Sequence, residues 1–266
     1  MAARGYDRNR TLPDVLTSAP LEVYVNLNQI LERTPVRSIE EAIAVMTAID
    51  QALPDSDGVK WFNRLYLRVT VSVGKAVGTT QFHDTAFLTE LDVVFANLYF
   101  SALADGSTDI RRAPSSWRSL LEARHQPGIA RIQFALAGMN AHINRDLPDG
   151  IVRSFVTLGG DPITDDIRER DFNSVNDLLE RVEQEVKTEF TTGLVGAVDR
   201  IGGPVDDAVA MWKVRAARSA AWTNGQVLWG LRSLPPLRDR FFSRLDGMVG
   251  LTGRGLLQAR GAVLRR

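Results

Sequence analysis

The sequence predicts an all-α protein, a single helical bundle-like domain of about nine helices. Apolar residues recur at the three- and four-residue spacing of amphipathic helices in most segments. No alternation of strand and helix patterns appears, as a sheet flanked by helices would require. The chain of 266 residues is also long enough to bury a sizeable core. We expect residues 1–20 to form a loose N-terminal arm and residues 21–266 to form the domain.

The first predicted helices follow a clear start signal. Residues Ser38 and Glu41 form a capping box, in which Glu41 is expected to accept a hydrogen bond from the amide of the capping residue. The helix should continue through residues 42–53. Residues 59–77 are β-branched at their centre, and their length favours a second helix.

The clearest helix covers residues 83–103. Its apolar positions fall on one face, at Leu88, Leu91, Phe95, Leu98 and Ala102. Asp84 is suited to cap its first turn. The polar stretch at residues 104–114 is predicted to be a loop, and a shorter helix should follow at residues 115–128.

Three further helices are predicted, at residues 129–147, 174–190 and 202–234. Pro148 should end the first of them, which makes residues 148–173 the longest irregular connection. Ser174 suits the N-cap of the second helix, and Pro204 suits the first turn of the third. After residue 237 we expect two helical segments broken by the glycines of 247–255.

Composition excludes several classes of function. The 32 basic and 32 acidic residues balance, whereas a dedicated nucleic-acid binder usually has a basic excess. The chain has no cysteine, which excludes disulfides, thiolate metal sites and cysteine nucleophiles. The chain has no run of about 18 apolar residues, so no membrane-spanning helix is predicted. The start of the chain does not resemble a signal peptide. We therefore expect a cytoplasmic protein without a nucleic-acid partner.

The stretch GMNAHINRDLP, residues 138–148, is the strongest candidate for a functional site. At about 100° per residue, an apolar stripe there faces the core. His142 and Asp146 lie on one flank of that stripe, and Asn140 and Asn144 lie on the other. Arg145 is expected to point to solvent. Each polar pair is four residues apart, so its members can bond each other or hold one ligand between them.

Three interpretations of His142 and Asp146 stay open: a hydrogen bond that stabilises the core, a pair of metal ligands, or a catalytic acid–base pair. Asp92 is the best additional ligand or acid, because it lies on the apolar side of its predicted helix and needs a compensating partner there. His83 is a further candidate for a divalent metal ion. No other residue in this part of the chain completes a recognised metal motif.

Substrate contacts are predicted at Asn140, Asn144, Tyr99, Arg64 and Arg68. Arg64 and Arg68 could clamp a carboxylate or phosphate through two parallel hydrogen bonds. They could equally be the buried partners of Asp92. The two asparagines could instead hold neighbouring backbone groups in place.

Five segments together resemble a bacterial, largely actinobacterial family known only as a domain of unknown function. They are WFNRLYLRVT, LDVVFANLYF, QFALAGMNAHINRDLP, DFNSVNDLL and ARSAAWTNGQVLWGL. The resemblance implies a fold and a site, and no reaction. A weaker resemblance, limited to HINRDLP, links the chain to helical zinc-dependent phospholipases and nucleases. Those enzymes use several more histidines than the three present here.

These observations favour an enzyme that acts on a small or lipid-like apolar substrate through His142, Asp146 and Asp92. The alternative is a non-catalytic helical protein in which a buried polar cluster fixes helix packing. The basic tail at 237–266, with seven arginines and two aspartates, is expected to dock on the bundle. A membrane-surface role for this tail is the other possibility.

Overall fold

The computed structural model describes residues 21–79, 81–192 and 214–258. The predicted N-terminal arm and Pro204, predicted to lie in the first turn of a helix, fall outside these residues. Within them the chain forms ten α-helical segments and no strand. Two segments join end to end through a π-helical turn and make one continuous helix, so nine separate helices result. The predicted all-α fold is confirmed.

The helices occur in this order: α1 Leu21–Leu31, α2 Ile39–Ala52, α3 Gly58–Val77, α4 Thr85–Thr108, α5 Ser115–Ala123, α6 Arg131–Ala141, α7 Leu147–Leu158, α8 Asp166–Thr192, α9 Val214–Gly230 and α10 Pro235–Leu256. A short 3-10 turn, Ile110–Arg112, lies between α4 and α5. The helix α4 therefore extends five residues into the segment predicted to be a loop.

The helix α4 lies at the centre of the bundle and packs against α1, α2, α3 and α7. Its apolar side chains are buried along almost its whole length, Phe87 and Tyr99 among them. Of the described helices, it is the one long and apolar enough to cross a membrane, and 61% of its most apolar window is buried inside the protein. Such burial is what the central helix of a bundle requires.

The predicted helix starts are present, with one difference at α2. The Ser38 hydroxyl accepts a hydrogen bond from the Glu41 amide (3.2 Å), as a capping box requires. The Glu41 carboxylate accepts from the Arg37 amide (2.7 Å), one residue before the predicted partner. At α4, Asp84 accepts from the Phe87 amide (2.8 Å), which confirms the predicted N-cap.

The chain does not leave the helix at Pro148, and that prediction is wrong. Residues His142–Asp146 form a π-helical turn that connects α6 directly to α7. The Leu147 amide bonds to the His142 carbonyl, five residues back. In an unbroken α-helix the proline ring would clash with the carbonyl four residues earlier. The wider π turn places Pro148 at the start of α7 instead, where its missing N–H is harmless.

The predicted irregular connection at 148–173 is consequently much shorter, and only residues 159–165 are non-helical. Gly159 and Gly160 make this turn with φ angles of 77° and 97°, which side chains disfavour. Ser174 is not a cap, because it lies inside α8 and donates to the Arg170 carbonyl (2.9 Å).

In the described part of the tail, up to residue 258, the chain forms one helix, α10, and the predicted break near its glycines is wrong. Gly250 and Gly253 face α5, where a Cβ atom would meet Ser115 and Ser119. These glycines therefore serve close packing of α10 against α5 and not a break in the helix. The helix α10, which is the described part of the tail, docks on α5 and α6.

Candidate functional site

A buried hydrogen-bonded cluster centres on Asp146, in the π turn. Its Oδ2 lies 3.1 Å from His142 Nδ1 and accepts from the Trp117 indole N–H at 2.8 Å. Its Oδ1 accepts from Arg145 Nη1 at 2.7 Å. His142 and Asp146 are 1% and 0% exposed. The carboxylate is thus held from three directions, which fixes its position within the helix.

These contacts determine the tautomer of His142. Trp117 and Arg145 carry only donors at the contacting atoms, so both Asp146 oxygens act as acceptors in these bonds. A carboxylate has only acceptors, so the proton of the third bond belongs to His142 Nδ1. Burial lowers the pKa of His142, and the Asp146 carboxylate opposes this. The ring is therefore neutral near pH 7, and its Nε2 carries a lone pair.

Aromatic rings surround the imidazole on several sides. The Phe95 ring stacks on it at a centroid distance of 3.4 Å, and the Tyr66 ring meets it edge-on at 4.4 Å. Phe62, Tyr99 and Trp117 complete the shell at 5.6–6.1 Å. These rings exclude water and fix the ring plane. His142 Nε2 has no hydrogen-bond partner in the described part of the chain.

A small, partly open cavity of about 50 Å³ lies beside His142. Its wall is mainly aliphatic and comes chiefly from α3, α4, the π turn and α8, with one residue each from α6, α7 and α9. Four polar or titratable residues interrupt that wall: Tyr66, Asp92, His142 and Arg218. A water molecule needs roughly 10–15 Å³ on this measure, so the cavity suits a few waters or one small organic molecule.

Asp92 and Arg218 supply the buried charges of this cavity. Burial raises the pKa of Asp92 to about 7, and the positive charge of Arg218 partly opposes the shift. Burial lowers the pKa of Arg218 to about 9, and Asp92 opposes that. Asp92 Oδ2 has no hydrogen-bond partner among the described residues. The two groups act on each other through space, because neither forms a direct bond to the other within the described structure.

The α8 helix holds the Arg218 guanidinium firmly. Its Nε donates to Asn176 Oδ1 at 2.7 Å, and its Nη2 donates to the Phe172 carbonyl at 2.8 Å. The guanidinium also lies 4.0 Å above the Phe172 ring. Of its nitrogens, Nη1 is the one that forms no bond to the described residues. Arg218 thus presents a fixed donor to the cavity.

The structure brings His142, Asp146 and Asp92 together and places the predicted substrate contacts elsewhere. Asn140 Nδ2 donates to the Val249 carbonyl of α10 at 2.9 Å, and Asn144 donates to Asn140. Both asparagines therefore join α6 to the tail helix. The Tyr99 hydroxyl bonds Asn63 (3.3 Å) inside the core. None of the three lines the cavity.

The two predicted arginines also lie away from the cavity. Arg64 pairs with Asp50 at 3.2 Å and lies over the Trp61 ring. The charge that acts on Asp92 is that of Arg218, on α9. The exposure predicted for Arg145 is wrong, because its side chain is 16% exposed and bonds Asp146. The Arg145 side chain extends towards α10, where its guanidinium carbon lies 4.6 Å from the centre of the Phe242 ring.

The described residues contain no site with three suitable metal ligands. No group of three or more His, Asp or Glu side chains comes together there in a suitable arrangement. His83 bonds Asp171 (3.1 Å) at the start of α4. Both oxygens of Asp146 already accept bonds from the protein. The donor set at His142 therefore fits proton transfer better than metal binding.

Sequence reasoning missed Trp117, Arg145 and Arg218 as members of this site. Trp117 carried no signal beyond an apolar position in a short helix. Arg218 did carry one, since it interrupts an alanine-rich apolar face near Trp222, where a lone arginine needs a partner. That signal does not indicate which helix provides the partner.

Fold and site together define an all-α protein with a buried His–Asp pair beside a small, mainly aliphatic cavity. The chain belongs to a family of unknown function, DUF5995, whose model matches residues 39–259. No curated protein and no solved structure matches it. The bacterial, largely actinobacterial range of the family and the fragmentary resemblance to zinc-dependent phospholipases and nucleases stay predictions.

Proposed function

We propose that this protein is an enzyme that binds a small, largely apolar molecule in the cavity beside His142 and acts on it with His142 as general base. Asp146 positions the imidazole and keeps its proton on Nδ1. Asp92 is the second group able to exchange a proton, since its pKa of about 7 lies close to neutrality. The aliphatic wall sets the preference for an apolar substrate.

One observation carries the proposal: His142 Nε2 and Asp92 Oδ2 are buried without hydrogen-bond partners in the described structure, and their residues line one cavity. An unpartnered buried polar group costs about 1–3 kcal/mol. A cluster with a purely structural role would be expected to satisfy all its polar atoms. Unmet donors and acceptors at a cavity are instead typical of a site that receives a ligand.

A structural role accounts for only part of the cluster. The Asp146 carboxylate does connect α5 to the π turn through Trp117, and this contact stabilises the packing of the two helices. The same role gives no use for the free lone pair of Nε2 or for the unpaired Asp92. The non-catalytic alternative therefore explains Asp146 and leaves Asp92 unexplained.

Isotope incorporation tests the proposal without knowledge of the product. A panel of short branched aliphatic acids, amides, esters, alcohols and ketones would be incubated with the protein in D₂O and in H₂¹⁸O. Mass spectrometry would then detect any proton abstraction or hydrolysis. We expect at least one panel member to bind by ligand-observed NMR and to gain an isotope label. The label should be lost in His142→Gln.

Val73→Phe provides a second variant that leaves His142 in place. Val73 is buried and lines the cavity, so a phenyl ring there would fill the space that a ligand needs. We expect this variant to fold and to lose ligand binding. A panel with no binder and no labelled product would contradict the proposal. The cytoplasmic location and the absence of a nucleic-acid partner stay predictions.

A further inference from the structure

The polar groups at the cavity define what its ligand must offer. His142 Nε2 only accepts, because the ring proton is on Nδ1. Ionised Asp92 only accepts, through an oxygen that has no partner in the described chain. Arg218 only donates, and α8 already occupies its Nε and Nη2. The Tyr66 hydroxyl also lines the cavity without a partner in the described chain, and it can either donate or accept. The site therefore presents two groups that only accept, one that only donates, and one hydroxyl that can do either.

A ligand head group that satisfies this set needs two donors and one acceptor. A primary carboxamide has two N–H donors and a carbonyl acceptor. A carboxylate has no donor and would be repelled by Asp92. An ammonium group has no acceptor and would be repelled by Arg218. An alcohol offers one donor and leaves one buried acceptor unsatisfied.

We propose that the cavity recognises the primary carboxamide of a small aliphatic molecule, its NH₂ donating to Asp92 and His142 and its carbonyl accepting from Arg218. The inference rests on the proposed function and specifies its substrate class. Asp92 and Arg218 already balance each other in charge, so a neutral head group enters without adding a net charge to the interior.

The remaining wall sets the size of the substituent. Aliphatic side chains of α3, α4, the π turn and α8 face the cavity, among them Val73, Leu91 and Val175. A volume of about 50 Å³ leaves room for only a short chain beyond the head group. Isobutyramide is therefore a suitable probe. Isobutyric acid and isobutylamine match its shape and differ only in the head group.

The charged and titratable groups that line the cavity in the described structure are Tyr66, Asp92, His142 and Arg218. The α8 helix contributes only Val175 and Leu179 there. Protonation of Asp92 at low pH converts one acceptor into a donor. Binding of isobutyramide should thus be tighter at pH 8 than at pH 6.

Competition between the three probes on the unmodified protein is the first test. At pH 8, NMR titration should give saturable binding of isobutyramide and at least about tenfold weaker binding of the other two, the typical effect of one lost bond to a charged group. Equal binding of all three would overturn the carboxamide inference while leaving the proposed function intact. If none of the three binds and the wider panel also fails, both proposals fall.

Asp92→Asn provides a test of specificity. The asparagine amide can donate as well as accept and carries no charge, so the variant no longer repels a carboxylate and leaves the charge of Arg218 to attract it. We expect the preference for isobutyramide over isobutyrate to fall at least about tenfold. Asp239→Asn, at an exposed site on α10, should keep the original preference. An Asp92→Asn variant that folds and keeps the preference of the unmodified protein undiminished would contradict the assignment of Asp92 as an acceptor.

Discussion

Asp92→Asn should make the protein more stable at pH 8, and the gain should disappear at low pH. The carboxylate is buried in α4, and burial raises its pKa from 3.8 to about 7. Between these values the folded state binds more protons at Asp92 than the unfolded state does. The free energy of unfolding therefore falls as pH rises from about 4 to 7. The asparagine variant has no charge at this position, so its free energy of unfolding does not fall for this reason over the same pH range.

The size of the effect follows from the shift. A rise from 3.8 to about 7 corresponds to roughly 4 kcal/mol at a pH above both values. The attraction of Arg218 is already contained in this pKa. The figure is an upper bound, because the buried asparagine amide adds N–H donors that need acceptors. We expect a gain of about 1–4 kcal/mol at pH 8 and a gain near zero at pH 4.

Urea unfolding followed by circular dichroism at pH 4, 6 and 8 measures this directly. The control is Asp239→Asn, which removes an exposed carboxylate from α10 and should change stability little at any pH. A variant that is less stable than the unmodified protein at pH 8 would refute the reasoning. That result would show Asp92 to be a structural ion-pair partner of Arg218.

Three further outcomes are expected. Gly138→Ala should destabilise the protein by about 1–3 kcal/mol, because its Cβ would collide with a buried aromatic ring. Gly247→Ala should stabilise α10 by up to about 1 kcal/mol, because its Cβ meets open space. Urea unfolding of both variants measures the two effects, and equal effects would contradict the packing described for Gly138. Arg145→Gln should raise the pKa of His142, measured by NMR titration, because the Asp146 charge would be less neutralised; a lower value would contradict the network. The protein should not pellet with anionic vesicles at about 0.15 M salt; binding that is lost on deleting residues 237–266 would show that the tail acts on membranes.

Helix positions were largely predictable, because a buried helix face requires apolar residues at a regular three- and four-residue spacing in the sequence. The stripe on α4 and the cap at Asp84 are properties of neighbouring residues, and both are present. The wrong predictions concern residues whose role depends on a partner elsewhere in the chain. The glycines of α10 read as helix breakers in the sequence, yet they allow the helix to approach Ser115 and Ser119 closely.

Pro148 shows the limit of local rules most clearly. A proline ordinarily ends a helix, and this one follows a π turn that removes the clash. The π-helical turn cannot be recognised from the spacing of apolar residues, because it inserts only one extra residue into a single helical turn. Since π turns are frequent at functional sites, its coincidence with His142 and Asp146 supports the choice of this site.

The pair of His142 and Asp146 was predictable from a spacing of four residues, and the structure forms that contact. The link from Asp92 to the same cavity was a reasonable expectation from its apolar helix face. The identity of its partner was not predictable, because Arg218 lies 126 positions away (218 minus 92) on a different helix. Long-range pairing leaves no trace in a single sequence.

The protonation of His142 tests the central claim most directly. Nitrogen-15 NMR of the imidazole side chain distinguishes the two ring nitrogens and reports which of them carries the proton. From pH 7 to pH 8 we expect His142 to be neutral, with a proton on Nδ1 and a free lone pair on Nε2. A His142 ring that carries its proton on Nε2, or that is doubly protonated at pH 7, would contradict its assignment as the general base.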